Sequence, residues 1–295
     1  MKKSVEIINK RTGGTRIFFG VVCGILIVYC AMLIYPFLWM FQQSLKGQFE
    51  YFVAGPFEFA ADPQWNNYIR VFESITVRAK GKQVGFLMML FNSIWQTVGP
   101  TAIGMFFSCI VAYCLSKYTF GVRNFMYAVI IFMMVYPSMG TGGAAYKQAQ
   151  DLGIFDSPLM MVKSMGGYSG MGFFVLYSFF STLPWDYADA AFIDGANDYQ
   201  VFFKIMLPMA MGPIMAMSIV SAIGGWNGYM GNLLYYPSYP MLTAGLYLYE
   251  SNMVRAVDYP LYFTGVIITM LPVIALFIVF QDSIMKNVSV GGLKG

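Results

Sequence analysis

The sequence predicts an all-α fold, that of a polytopic membrane protein with six transmembrane helices, and two observations carry this prediction. The chain of 295 residues is 58% hydrophobic and only 11% charged, whereas a soluble globular protein has about 25% charged residues. It also holds uncharged runs that reach or exceed the roughly 20 residues with which an α-helix crosses about 30 Å of hydrocarbon. These runs are 17–45, 83–116, 124–146, 164–185, 205–249 and 259–281.

The first run follows a basic tail and is expected to stay in the mature protein. Its apolar part is too long for a signal peptide and ends in YPFLWMFQQSLK, which has no small-residue cleavage site. Basic residues accumulate on the cytoplasmic side of a membrane. The tail is therefore expected in the cytoplasm, because it sets one acid, Glu6, against Lys2, Lys3, Lys10, Arg11 and Arg16.

The number of spans decides which connecting segments share a side of the membrane. After the fourth span, the segment 184–208, here called the insert, faces the cytoplasm. The long segment 46–82 lies outside; its bases Arg78, Lys80 and Lys82 do not oppose this, because long loops are translocated largely regardless of charge. The predicted organisation is a cytoplasmic tail, a transmembrane domain and a second cytoplasmic tail, at 1–16, 17–285 and 286–295.

The fifth run is about twice the length of one span, so seven spans are the alternative. Its second half is interrupted by GGWNGYMGN at 224–232 and then by Pro237 and Pro240. A break exposed to lipid would leave backbone polar groups without hydrogen bonds. Six spans are therefore the favoured count.

Several classes of function are disfavoured by residue types that the sequence lacks. There is no histidine, which excludes histidine-ligated metals and histidine relays. Gly81-Lys82 lacks the earlier glycine and the following Ser or Thr of a phosphate-binding loop, so any ATP that drives this protein must be hydrolysed by another chain. The acidic residues lie outside the uncharged runs, which disfavours an ion-driven transporter. We predict no catalytic residue, no metal site and no cofactor bound by this chain.

The insert is unlike the apolar segments around it. Its stretch DAAFIDGANDYQVFFKIMLP, at 189–208, predicts two short helices. Gly195 permits the positive φ of a tight turn between them, Asn197 and Gln200 form a capping-box pattern for the second helix, and Pro208 is expected to end it. An ordinary interfacial loop and a rigid docking element for a soluble partner both fit this pattern.

The same stretch resembles the EAA motif of permease subunits in bacterial ABC importers, in its carbohydrate-uptake version. In that family the motif is the coupling helix, which sits in a cleft of the ATPase subunit. Two positions depart from the pattern: Asp189 replaces the usual glutamate, and Gly212-Pro213 sets the following proline one residue late. By this resemblance the candidate ATPase-coupling residues are Asp189, Ala190, Ala191, Asp194, Gly195, Ala196, Phe202, Ile205, Leu207 and Pro208.

Further matches in order along the chain, such as WNNYIRVF, AYCLSKYTFGVRN and the terminal GGLKG, are similar to the second permease of maltose-type systems. The resemblance implies the type I ABC importer permease fold in a bacterial inner membrane, with both termini cytoplasmic. It also implies a related second permease, two ABC ATPase subunits that bind ATP and Mg, and an extracytoplasmic substrate-binding protein. The surrounding lipid is the other partner, and no nucleic acid is expected.

The solute path is predicted from aromatic and polar residues in or near the spans, because sugars are held by aromatic faces and a few polar groups. Trp and Tyr also collect at membrane interfaces for reasons unrelated to a ligand. Asn227 is the strongest candidate, since a polar side chain at depth needs a partner or water. The candidates are Trp95, Gln96, Tyr136, Tyr168, Trp226, Asn227 and Tyr229.

The predicted function is a permease subunit of an ATP-driven ABC importer for a sugar or oligosaccharide. A permease for a non-carbohydrate solute is the alternative. An ion-driven secondary transporter or a channel is a third possibility, disfavoured because it would need no docking element.

Overall fold

The computed structural model describes residues 13–136, 140, 142–252 and 257–289, and helices dominate this part of the chain. The first elements in chain order are α1 Gly13–Ser44, α2 Gln48–Val53, α3 Asn67–Ser74, β1 Thr76–Ala79, β2 Lys82–Gly85 and α4 Phe86–Lys117. The others are α5 Arg123–Val135, α6 Gly142–Asp151, a 3-10 helix Pro158–Ser169, α7 Met171–Thr182, α8 Asp186–Ile193, α9 Asp198–Val201, a π-helix Phe202–Met206, α10 Leu207–Met209, α11 Met211–Asn227, α12 Tyr229–Tyr235, α13 Leu242–Asn252 and α14 Tyr259–Ser289.

Three helices of the described residues are long and apolar enough to cross a membrane, and they match the first, second and last predicted runs. A fourth span is possible if the bent pair Asp198–Met209 and Met211–Asn227 is counted as one. The third and fourth runs contain the shorter apolar helices Arg123–Val135 and Met171–Thr182. Three of the predicted spans are therefore interrupted in the structure, and the count of six stays a prediction.

The described residues divide into two compact units, one formed by residues up to 71 with Asp258–Ile267 and the other by the rest. In the first unit, the chain after α1 folds back so that side-chain donors meet backbone carbonyls. Trp39 Nε1 and Gln43 Nε2 each donate to the Pro56 carbonyl at 2.8 Å, and buried Lys46 donates to the Gly55 carbonyl at 3.1 Å. The start of the predicted outer segment 46–82 is thus held against the end of α1 by hydrogen bonds at Gly55 and Pro56.

In the second unit, α4 packs closely against the 3-10 helix and α7. The approach is close because glycines face each other: a Cβ added to Gly167 would lie 3.0 Å from the Cα of Gly104. Small residues at a helix interface let backbones approach in this way in membrane proteins.

A polar network between α4 and α12 holds the break between α12 and α13, where the sequence predicted an interruption. It consists of Asn92, Ser93, Gln96 and Asn232, all of which are buried. Asn92 Nδ2 donates to the Pro240 carbonyl at 3.1 Å, Gln96 Nε2 donates to the Tyr239 carbonyl at 2.8 Å, and the Leu242 amide donates to Ser93 Oγ at 2.8 Å. The predicted interruption of the fifth run is confirmed, and its backbone groups find partners on another helix, as an apolar surrounding requires.

The strands β1 and β2 form an antiparallel hairpin that the sequence analysis did not predict. Its two-residue turn, Lys80-Gly81, has positive φ at both positions, as the tight hairpin turns require. Lys80 forms an ion pair with Asp156, whose carboxylate also accepts hydrogen bonds from the Ser238 amide and hydroxyl. Burial alone would raise the pKa of Asp156, but these bonds to Lys80 and Ser238 hold it below its usual value.

We expect Asn232→Ala to destabilise the chain more than a surface substitution of the same kind. Asn232 Nδ2 donates to Gln96 Oε1 at 2.7 Å and to the Tyr239 carbonyl at 2.9 Å, and its Oδ1 accepts from the Met241 amide at 3.1 Å. Leaving such buried partners unpaired costs about 1–3 kcal/mol. Thermal denaturation of the purified chain in detergent measures the loss.

Asn124→Ala is the matched control, because this asparagine is exposed in the first turn of α5. Surface substitutions of this type change stability by about 0.5 kcal/mol or less. Equal melting temperatures for the two variants would contradict a structural role for the network.

Candidate functional site

The insert folds as the sequence predicted, into two short helices joined by a tight turn. Gly195 lies in the turn with φ of +83°, so the predicted positive φ is confirmed. Asn197 Oδ1 accepts from the Gln200 amide at 2.9 Å, and Gln200 Oε1 accepts from the Asn197 amide at 3.0 Å. This reciprocal pair is the predicted capping box, which satisfies amides that a helix start leaves free.

One side of the insert is buried in the core of the second unit. Ala188 and Ala191, three residues apart on α8, have exposures of 0% and 9%, and Val201, Phe202 and Met206 continue the buried surface. These side chains share one apolar cluster with residues of α4 and α7, including Tyr113 and Phe180. Because the whole inner side is packed, the insert is fixed to the helices beside it.

The opposite side of the insert is exposed and acidic. Asp189, Asp194 and Asp198 are exposed there. Two apolar side chains also protrude from this side: Ile193 is 86% exposed and Tyr199 is 78% exposed. The sequence analysis missed both, although Ile193 follows Asp189 by four residues and so lies on the same face of α8.

The predicted coupling residues fall into three groups by exposure. Ala191 and Phe202 are buried, and the half-buried ones are Ala196, Ile205 and Leu207. The exposed ones are Asp189, Ala190, Asp194, Gly195 and Pro208.

The exit from the insert differs from the prediction. Pro208 was expected to end the second helix, but helical turns continue past it to Met209, directly after the π-helix. The chain instead bends by 69° between Met209 and Met211. A π-helix, Phe202–Met206, precedes the bend, and such irregular turns are frequent at functional sites.

The predicted path residues do not form one cluster. Gln96 belongs to the polar network, Trp95 packs edge-on against Tyr236 with ring centroids 5.6 Å apart, and Trp226 is buried and donates to the Thr269 carbonyl at 3.1 Å.

The remaining path candidates have other surroundings. Tyr136 is exposed, and Tyr229 packs against Tyr247 with ring centroids 5.1 Å apart. Asn227 is exposed and donates to the Ile223 carbonyl of its own helix at 3.0 Å. The side chain of Tyr168 lies outside the described part of the chain.

A cavity of about 400 Å³ lies between α4, the 3-10 helix, α7 and α11. Of the predicted path residues, Gln96 alone lines it among the described side chains. The other polar lining is hydroxyl groups that the sequence analysis did not single out, and the Thr97 hydroxyl is buried without a hydrogen-bond partner among the described residues. The lining includes Thr97, Thr101, Ser164 and Ser221, with glycines and methionines between them.

We expect Gly195→Val to destabilise the insert while Gly195→Asn is tolerated. No atom lies within 4 Å of a Cβ added at this position, so the penalty comes from the positive φ alone. For an L-residue this conformation costs roughly 1–2 kcal/mol, and asparagine adopts it more readily than a β-branched residue. Limited proteolysis at the insert measures the difference; equal cleavage of the two variants would contradict the backbone argument.

Comparison with known proteins assigns this architecture. The profile of the family described as "Binding-protein-dependent transport system inner membrane component" matches residues 74–290. The diacetylchitobiose uptake system permease protein NgcG of Streptomyces coelicolor is 29% identical over 95% of this chain and 90% of its own length.

A second relative, the arabinooligosaccharides transport system permease protein AraQ of Halalkalibacterium halodurans, is 30% identical over 69% of this chain and 73% of its own length. A chain of a bacterial ABC transporter that imports the acidic polysaccharide alginate has the same fold, with a TM-score of 0.76 and 21% identity over 92% of this chain and 98% of its own. The expected type I importer permease fold is thereby confirmed. This chain belongs to the binding-protein-dependent transport system inner membrane components, the permease subunits of ABC importers.

Proposed function

We propose that this chain forms one half of a translocation path for a sugar or oligosaccharide and couples that path to a separate ATPase through the insert. The observation that carries the proposal is the two-sided insert, with Ala188 and Ala191 buried in the helical core and Asp189 and Ile193 exposed. A docked partner would contact only the exposed side. Force applied there would reach α4 and α7 through the packed side.

The proposed partners are those that the resemblance to ABC importer permeases implies. We propose a second, related permease chain, two ABC ATPase subunits that hold ATP and Mg, and an extracytoplasmic binding protein. The crystallised alginate transporter supports the last of these, since it has been solved in complex with a pentasaccharide-bound periplasmic protein. ATP-driven closure of the ATPases would move the inserts and rock the helices as rigid bodies.

The proposed topology places the insert and both termini in the cytoplasm, where ATP is available. The acidic exposed side fits this role. The insert carries the exposed acids Asp189, Asp194 and Asp198 but one basic residue, Lys204. The ATPase surface that receives the insert is expected to be basic at its rim, with an apolar cleft for Ile193.

The solute class is inferred from the cavity and from the relatives. The cavity lining carries hydroxyl and amide groups and no charged side chain among the described residues, which suits a neutral hydroxylated solute. The relatives named above take up diacetylchitobiose and arabinooligosaccharides. Another neutral polar solute is the alternative, because hydroxyl groups alone do not select a sugar.

Affinity purification of the tagged chain from its native membrane in mild detergent tests the proposal. Stoichiometric recovery of a P-loop ATPase and of a second membrane permease is the expected result by mass spectrometry. Recovery of the chain alone under several detergents would contradict it and would leave the insert as an interfacial loop.

We further expect Asp189→Lys to reduce the co-purified ATPase by about tenfold, the equivalent of 1.4 kcal/mol. The exposed carboxylate is replaced by a base within the proposed contact. Asp151→Lys, which makes the same charge change at an exposed residue of α6, is the control and should leave the recovery unchanged. Undiminished ATPase with Asp189→Lys would show that this carboxylate makes no contact.

A further inference from the structure

The C-terminal end of α4 contacts the starts of both helices of the insert. Lys117, the last residue of α4, donates to the Leu183 carbonyl just before α8, and its ammonium lies 5.9 Å from the centroid of the Trp185 ring. Tyr118, the next residue, packs edge-on against the same ring at 5.9 Å. Its hydroxyl donates to Asp198 Oδ1, at the first position of α9, at 2.8 Å. Lys117 and Tyr118 are called the α4 clamp below.

The Tyr118–Asp198 hydrogen bond lies beside an apolar pocket of about 590 Å³. Tyr113, Phe202 and Phe203 contribute to the pocket lining, as do Tyr118 and Asp198 themselves. Burial raises the pKa of Tyr118, and its hydrogen bond to Asp198 acts in the same direction, so the phenol stays protonated and able to donate. A hydrogen bond to a carboxylate is stronger than one between neutral groups.

The clamp adds a directional constraint that the buried side of the insert does not provide. Apolar contacts are non-directional, so the packing of Ala188, Ala191 and Phe202 holds the insert against its neighbours without fixing any bond angle. A hydrogen bond weakens steeply when its angle changes. The bonds at Leu183 and Asp198 therefore fix where the insert sits along the end of α4.

The same helix reaches the cavity. Gln96, Thr97 and Thr101 lie on α4 and line the cavity. The 22 residues from Gln96 to Lys117, with Pro100 among them, rise by about 32 Å at 1.5 Å per residue. A displacement applied at the clamp therefore acts on the same helix that lines one side of the cavity.

From this juxtaposition we propose that Lys117 and Tyr118 are positioning residues that convert movement of the insert into movement of α4. The proposal rests on the proposed function, because it takes the insert as the ATPase docking element. It goes beyond that function by assigning the transmission step to residues outside the EAA-like stretch. Without the clamp, the ATPase should stay docked and should still bind nucleotide. Its movement should no longer change the cavity.

The test uses the whole complex in native membranes and a reporter at the cavity. With the native cysteines replaced, Thr101→Cys is labelled with a maleimide, with and without a non-hydrolysable ATP analogue. The parent reporter should show a nucleotide-dependent change in labelling rate. Adding Tyr118→Phe, which removes only the hydroxyl, should reduce that change by at least about fivefold, the lower end of typical coupling effects, while the co-purified ATPase stays constant.

Tyr177→Phe is the matched control and should behave like the parent. This tyrosine packs in the same core, with its ring centroid 4.8 Å from that of Tyr127, and its hydroxyl has no hydrogen bond among the described residues.

Three results would overturn the proposal. A parent-like nucleotide response in Tyr118→Phe would show that the bond transmits nothing. Loss of the co-purified ATPase in that variant would make the bond an assembly contact. A parent reporter that ignores the nucleotide, although the ATPase is present, would show that α4 does not move at the cavity. If no ATPase accompanies even the unmodified chain, it is the proposed function itself that fails.

Discussion

Hydrocarbon offers no hydrogen bonds, so every interruption of a membrane helix must be satisfied by protein groups. This chain meets that requirement with one helix, α4. Its Asn92, Ser93 and Gln96 form hydrogen bonds with backbone groups at the break between α12 and α13. Asn232 of α12 donates to Gln96 and so joins the same network. An α4 rich in leucine at these positions would still span the bilayer, but the following segments could not break and turn where they do.

The demands on α4 explain its uneven composition. One part is polar because it supports a broken segment, another has Gly104 where the 3-10 helix comes close, and its end carries a lysine and a tyrosine directed at the insert. Each requirement is local, yet all fall on one helix. A helix that must hold its neighbours at several heights is also suited to move them together.

The sequence predicted best those features that depend on near neighbours in the chain. The positive φ of Gly195 and the Asn197–Gln200 capping box follow from residues at most three apart, and both are confirmed. The structural role of Gln96 could not be predicted in this way, because its partners Asn232 and Tyr239 are 136 and 143 residues away. The hairpin turn at Lys80 was missed because its strands are only four residues each, too short for a clear alternation.

The cavity and the insert differ in the chemistry that they present, and the difference fits a shared task. The insert exposes carboxylates and apolar side chains, which suit durable docking. The cavity offers hydroxyl groups, one of them the unpaired Thr97, and no aromatic ring among its described lining residues. A path must bind its solute well enough to admit it and weakly enough to release it. If the cavity is part of the proposed path, strong binding is expected of the delivering protein. A lining of scattered hydroxyls would then let the proposed movement of α4, rather than affinity for the wall, decide when a solute passes.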